Sequence, residues 1–317
     1  MLAQQDVSAV YARLLLQSGL LPTEELLAGT GLELADLAEA EYLGWQPMAG
    51  LLKNVMAARL DPAWAAKLGE QIGVSAHGAL GFAALSAPTL GAALEVIATF
   101  LPIRVSSIGI ELERKGDRYV LRLFDRGEVP EVFNSGCEIA LKTFEVLIAT
   151  LLGTADQAEV LIHLARPRPE QEESLRQAFA SRLEFAAGQN AISVPAKWWQ
   201  QASPLHDDAS YRTNLAKCQE LLNARQQQAS CAHAVRELLR QHFERQIARD
   251  AANQPPPTLE QVASHLHMTS RTLIRHLNAE NQSYKILLRN LRRDYARSLL
   301  GNARLTVAEV GEVWGYR

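Results

Sequence analysis

Arg271, Thr272, Arg275 and His276 sit close together in a stretch whose residue types and spacing could do chemistry. On a helix at about 100° per residue from Arg271, Arg275 lies near ~40°, Thr272 near ~100° and His276 near ~140°. Leu273, Ile274 and Leu277 fall between roughly 200° and 300° on the same projection, so the opposite face is apolar. Such a helix can dock on its own protein by one side and offer hydrogen-bond donors on the other. Arg can bond the O6 and N7 of guanine in bidentate fashion, and Thr offers a hydroxyl and a methyl group to a base edge. An ordinary amphipathic surface helix carries a similar pattern, so the neighbouring elements have to decide between the two.

Those neighbours favour a groove-reading helix. Thr258-Leu259-Glu260-Gln261 fits a capping box, with Thr258 as the N-cap and Gln261 reaching back. Leu259, Val262, Ala263 and Leu266 then form one apolar stripe, and the small Ala263 lets a second helix cross closely. After the turn at His267-Met268, Thr269 can cap the helix that bears Arg271 and Arg275. Two capped helices joined by a short turn, the second with donors outward, are the parts of a helix-turn-helix reader of the DNA major groove.

An internal repeat adds to this. Thr306-Val307-Ala308-Glu309 is a second capping box, and Val307, Val310, Gly311 and Trp314 repeat the stripe of Leu259, Val262, Ala263 and Leu266. Between the copies, Tyr284–Leu300 reads as one continuous helix with Leu287, Leu288, Leu291, Tyr295 and Leu299 inward. Its Arg289, Arg292, Arg293 and Arg297 are available for phosphates. The same offset carries Thr269 to position 317, the last residue, so the second recognition helix would begin where the sequence stops. One complete reading head is therefore expected, with weaker and less specific DNA binding than two would give.

Charge points the same way. The net charge of −3 over 317 residues hides a segment, 253–317, with nine Lys/Arg and five Asp/Glu, a balance of +4 against −7 for residues 1–252. A basic tail on an acidic body suits a polyanionic partner for the tail alone. With 48% hydrophobic and 21% charged residues, the chain resembles an ordinary globular protein. It has no apolar run of membrane-spanning length, and its start lacks the pattern of a signal peptide, so a cytoplasmic protein without a membrane partner is expected.

Enzyme signatures are missing. There is no P-loop, no GxGxxG after a strand, no HExxH and no GxSxG, so no catalytic residues are assigned. His77, beside Gly78, and His163, in an expected strand, read as structural histidines. Cys137, Cys218 and Cys231 are too few and scattered for a disulfide framework or a zinc site. Neither a metal nor a cofactor is expected.

Asn253-Gln254-Pro255-Pro256-Pro257 is the clearest boundary, because three prolines cannot continue a helix. Upstream, roughly 207–227 and 230–249 read as two helices that could serve dimerisation. Helical patterning covers 8–17, 22–29, 46–59 and 62–72, and Thr89 can cap a helix running to about residue 100. Ser107–Glu113 and Tyr119–Phe124 alternate around Lys115-Gly116-Asp117 as a hairpin. A long helix over Glu131–Leu152, a strand at Val160–Leu164, a helix at Glu170–Ala180 and short strands at Arg182–Phe185 and Ala191–Val194 follow. The expected fold is an α+β N-terminal domain, helices on a mostly antiparallel sheet, followed by an all-α helix-turn-helix domain. The domains are expected at 1–206 (effector-sensing), 207–252 (helical dimerisation or linker region) and 253–317 (DNA-binding).

Residues 258–317 resemble the DNA-binding domain of AraC-family regulators. The resemblance rests on Val262-Ala263, on Met268 through Leu277, on Leu288 through Arg292, on Tyr295 through Leu300, and on Val310-Gly311-Glu312-Val313-Trp314-Gly315-Tyr316. It implies that Thr272, Arg275 and His276 face bases and that Arg271 contacts a base or phosphate. Upstream, Gly78-Ala79-Leu80-Gly81-Phe82 and Thr89-Leu90-Gly91-Ala92-Ala93-Leu94 resemble the arabinose-binding-type N-terminal domain of one AraC-type branch. That resemblance implies effector sensing and dimerisation, without making arabinose the ligand. The function expected is a sequence-specific transcription regulator, a homodimer acting on double-stranded DNA under control of an unknown small-molecule effector. The competing reading is an effector-binding and dimerisation module with little DNA binding of its own.

Overall fold

The computed structural model describes residues 6–58, 60–126, 130–152, 157–247, 255–280 and 282–301. The chain divides between Leu222 and Asn223 into two compact units. In the first, strand β1 (Asp6–Ser8) leads into helix α1 (Ala9–Gln17), followed by α2 (Thr23–Leu27) and α3 (Leu34–Glu39). Strand β2 (Tyr42–Gly44) pairs antiparallel with β1, and α4 (Trp45–Ala57) and α5 (Trp64–Gln71) complete a helical layer. Leu15, Leu26, Leu37, Leu51, Leu52 and Val55 are fully buried in its core.

Helices α6 (Ala79–Leu85) and α7 (Leu90–Phe100) come next. Thr89 caps α7, its side chain accepting from the Ala92 amide at 3.1 Å. Strands β3 (Ile108–Lys115) and β4 (Arg118–Asp125) form the expected hairpin. Gly116 turns it at φ +60°, a left-handed conformation that glycine adopts without penalty. Then follow α8 (Phe133–Leu152), β5 (Leu161–Leu164), α9 (Glu172–Ala178), β6 (Arg182–Phe185) and β7 (Asn190–Pro195). The sheet order is β3-β4-β7-β5-β6. Its pairs are antiparallel except β5 with β6, which run parallel because the chain crosses between them through α9. Every residue of the inner strand β7 is buried. Helices α7 and α8 pack on this sheet in a second core that includes Leu94, Ile103, Leu121, Leu141 and Ile148.

The fold class read from the sequence therefore holds: helices on a mostly antiparallel sheet, then an all-α region. The differences lie in short pieces. Helices α3 and α6 and the β1–β2 pair were not expected, and none is long enough to display a clear period.

Helix α10 (Asp208–Ala229) crosses the division between units. The second unit holds α11 (Cys231–Ile247), α12 (Leu259–His265), α13 (Ser270–Ala279) and α14 (Tyr284–Gly301). Val235, Leu239 and Phe243 of α11 share a core with Val262, Ala263, Leu266, Leu273, Leu277 and Leu287. No helix among the described residues is long and apolar enough to cross a membrane.

Candidate nucleic-acid interface

Local chemistry builds the α12–α13 pair. The Thr258 amide donates to Gln261 Oε1 at 2.8 Å, and the Gln261 amide donates to Thr258 Oγ1 at 3.3 Å, closing the capping box. Val262 and Ala263 are buried, while Leu259 is half-buried against the same core. The turn closes when the His267 amide bonds Ser264 O at 3.0 Å and the Met268 amide bonds Ala263 O at 2.9 Å. His267 takes φ +54° to do so. Thr269 then caps α13, its Oγ1 accepting from the Thr272 amide at 3.2 Å.

Helix α13 turns Leu273 and Leu277 into the core. Arg271 and Arg275 are exposed, whereas Thr272 and His276 are half-buried at the flank. Thr272 Oγ1 also lies 2.9 Å from Thr269 Oγ1. The sequence placed Ile274 on the inward face, but its side chain is 44% exposed. The reason is geometric: at about 300° from Arg271 it lies at the edge of the apolar arc, and Leu273 and Leu277 suffice to dock a helix this short. The outward stripe is thus Arg271, Ile274, Arg275 and Asn278, at i, i+3, i+4 and i+7. Sequence reasoning missed Ile274 and Asn278; a tighter angular window centred on Arg271 would have found both.

Helix α14 buries Leu287 and half-buries Leu288, Leu291 and Tyr295 against the same core. Arg289 and Arg293 are exposed and Arg292 is half-buried. The Arg297 side chain lies outside the described residues, as do the repeat at Thr306–Trp314 and the expected start of a second recognition helix. Tyr284 donates to Pro257 O, tying the start of α14 to the proline segment. Glu280 closes the unit from below α13. It accepts from Ser230 Oγ at 2.6 Å and from the Cys231 and Ala232 amides at 2.7 and 2.9 Å, the first turn of α11. Burial raises the Glu280 pKa, but these hydrogen bonds and nearby His276 outweigh it and hold the carboxyl below its ordinary value.

His163 and the three cysteines offer no reactive cluster. Cys137 and Cys218 are buried and Cys231 is half-buried, all unpaired with one another. Burial pushes the Cys218 thiol up to about 11, far from a reactive thiolate. His163 Nδ1 lies 2.9 Å from Glu184 on the neighbouring strand.

A family profile described as the arabinose-binding domain of AraC transcription regulators, N-terminal, matches residues 21–203. The chain belongs to the AraC-type transcription regulators. It is a regulator rather than an enzyme. It is 27% identical over 256 residues to an ornithine utilization regulator of Pseudomonas aeruginosa, covering 81% of this chain and 72% of the relative. It is 25% identical over 310 residues to an uncharacterised HTH-type transcriptional regulator of Mycobacterium bovis, covering 93% and 84% respectively. A solved structure, the transcriptional regulator CdpR from Pseudomonas aeruginosa, aligns with a TM-score of 0.48 at 24% identity, covering 85% of this chain and 84% of that one.

Proposed function

We propose that this AraC-type regulator reads double-stranded DNA in a sequence-specific way through α13, and that a small molecule bound by the N-terminal unit controls the outcome. The observation that carries the reading is the doubly capped α12–α13 pair, whose second helix buries Leu273 and Leu277 and exposes Arg271 and Arg275. In this reading Arg271, Thr272, Arg275 and His276 contact bases or adjacent phosphates, while Arg289, Arg292 and Arg293 of α14 contact phosphates. Thr272 and His276, being half-buried, reach the groove from the flank of α13, and the exposed Ile274 offers apolar contact to a thymine methyl group. A homodimer acting in the cytoplasm would bring two such units to one operator and raise the effective concentration of the second.

Two titrations test this. Replacing Arg275 by Ala should cost about 1–3 kcal/mol at one base position of the operator and little elsewhere. Replacing Arg289 by Ala should weaken binding to all sequences alike and reduce the slope of log K against log salt by about 0.9. DNA affinity that ignores salt would sink the DNA-reading proposal and leave the effector-binding and dimerisation module in its place.

A further inference from the structure

The N-terminal unit contains a cavity of about 270 Å³ at the seam between its two cores. Trp45, Met48 and Leu52 contribute from the helical layer, Ile97 and Leu101 from the sheet-packed core, and one face of α8 lines the remaining side. A concave, mainly apolar site with a few polar groups is the ordinary form of a small-molecule site.

The polar groups are specific. His77 lines the cavity, and its Nδ1 lies 2.8 Å from the Tyr11 hydroxyl, another lining group. The Arg104 guanidinium sits over the Tyr11 ring, 5.7 Å from its centroid, held there by Nη2 donating to Ala76 O at 2.7 Å. Burial raises the pKa of Tyr11, and Arg104 lowers it in part by hydrogen bonding to the phenol. The Arg104 cation beside the ring favours a phenol that turns its oxygen lone pairs toward the guanidinium and donates its O–H to His77 Nδ1. With the phenol donating to Nδ1, the neutral ring carries its proton on Nε2, the assignment on which the ligand class below is built. Burial first, and Arg104 second, lower the His77 pKa to about 4, so the ring is neutral near pH 7. Its Nε2 is buried without a partner among the described residues, and so is Nε1 of Trp45, which can only donate.

Resting on the effector-responsive reading above, we propose that the cavity is the effector site and that its ligand is a mostly apolar small molecule carrying one hydrogen-bond acceptor, a carbonyl or carboxylate oxygen, bound by His77. Buried donors left unpaired are costly, and an acceptor on the ligand removes that cost. A sugar fits poorly, because it brings a hydroxyl on nearly every carbon to a wall that can satisfy few of them. An amino acid with a second ammonium group fits poorly too. Glu70, the one acidic lining residue among those described, is 59% exposed and already 3.4 Å from Lys142.

The test compares probes on the full chain by calorimetric titration and thermal shift: butyrophenone, 4-phenylbutyrate, butylbenzene, arabinose and ornithine. Butyrophenone, 4-phenylbutyrate or both should bind, and the better of them about tenfold tighter than butylbenzene, the value of one buried hydrogen bond. His77→Leu should erase that advantage while butylbenzene still binds, which shows the cavity intact. Tyr11→Phe, which keeps the ring and frees Nδ1, should reduce it and serves if the leucine variant does not fold. Equal affinity for ketone, acid and hydrocarbon overturns the acceptor assignment. Binding of arabinose or ornithine alone, or of none of the probes, overturns the ligand class. An acceptor-bearing probe that binds through His77 yet leaves DNA affinity unchanged upholds the site's chemistry and sinks only the effector-responsive reading.

Discussion

At the scale of single residues, Glu280 links two elements of the second unit. It receives three hydrogen bonds from the start of α11 while belonging to the end of α13. A carboxylate at a helix N-terminus satisfies orphan amides and complements the helix dipole. Replacing it by Ala should cost about 1–2 kcal/mol of stability, the value of a lost N-cap with partly buried donors left behind. Because its pKa in the folded state lies below the ordinary carboxylate value near 4.5, its contribution is complete above that pH. The contribution fades as pH falls from there through the lowered folded value. Urea titrations at pH 7 and pH 4 should therefore separate wild type from Glu280→Ala by less at the lower pH. An undiminished gap would mean that the side chain acts by shape and not by charge.

At the scale of elements, glycines that looked like weak motif letters have structural work. A methyl group on Gly91 would stand 2.5 Å from the Trp199 indole, which itself stacks on Tyr119 with ring centroids 3.7 Å apart. A methyl on Gly81 would meet Val74 O at 2.3 Å and press on His77. Gly91→Ala should thus destabilise the N-terminal unit by about 1–3 kcal/mol, the range for overpacking a filled core. Thermal unfolding checks this, and a Tm equal to wild type would mean that the Trp199–Tyr119 stack yields without loss. The long elements were legible because period and caps agree: α7 begins at Thr89, the β3–β4 hairpin turns at Gly116, and α12 and α13 start at Thr258 and Thr269. Six- and seven-residue elements such as α3 and α6 carry too little pattern, whereas α2 falls within the helical patterning at 22–29. On α13 the inward and outward faces were legible, apart from the edge residue Ile274. The cavity was not, because its wall gathers residues from Val7 to Thr150, far apart in sequence and mostly apolar, with no spacing that joins them. His77 carried no local signal that set it apart from a packed core histidine.

At the scale of the whole molecule, the proposed function ties two sites in different units by a single free energy. A ligand changes DNA affinity only through its differential affinity for the DNA-competent and DNA-incompetent arrangements. Whatever factor the ligand contributes to DNA binding, DNA must return to ligand binding. If a cavity ligand tightens operator binding about tenfold, saturating operator should tighten that ligand about tenfold, and a ligand that releases the protein from operator should show the inverse factor both ways. Calorimetric titration of the same probe with and without operator measures this directly. The His77→Leu variant adds the control that matters, since it should abolish the acceptor-dependent part of both factors together. Loss of one factor with retention of the other would break the cycle. The probe would then be acting on DNA affinity from somewhere other than the cavity.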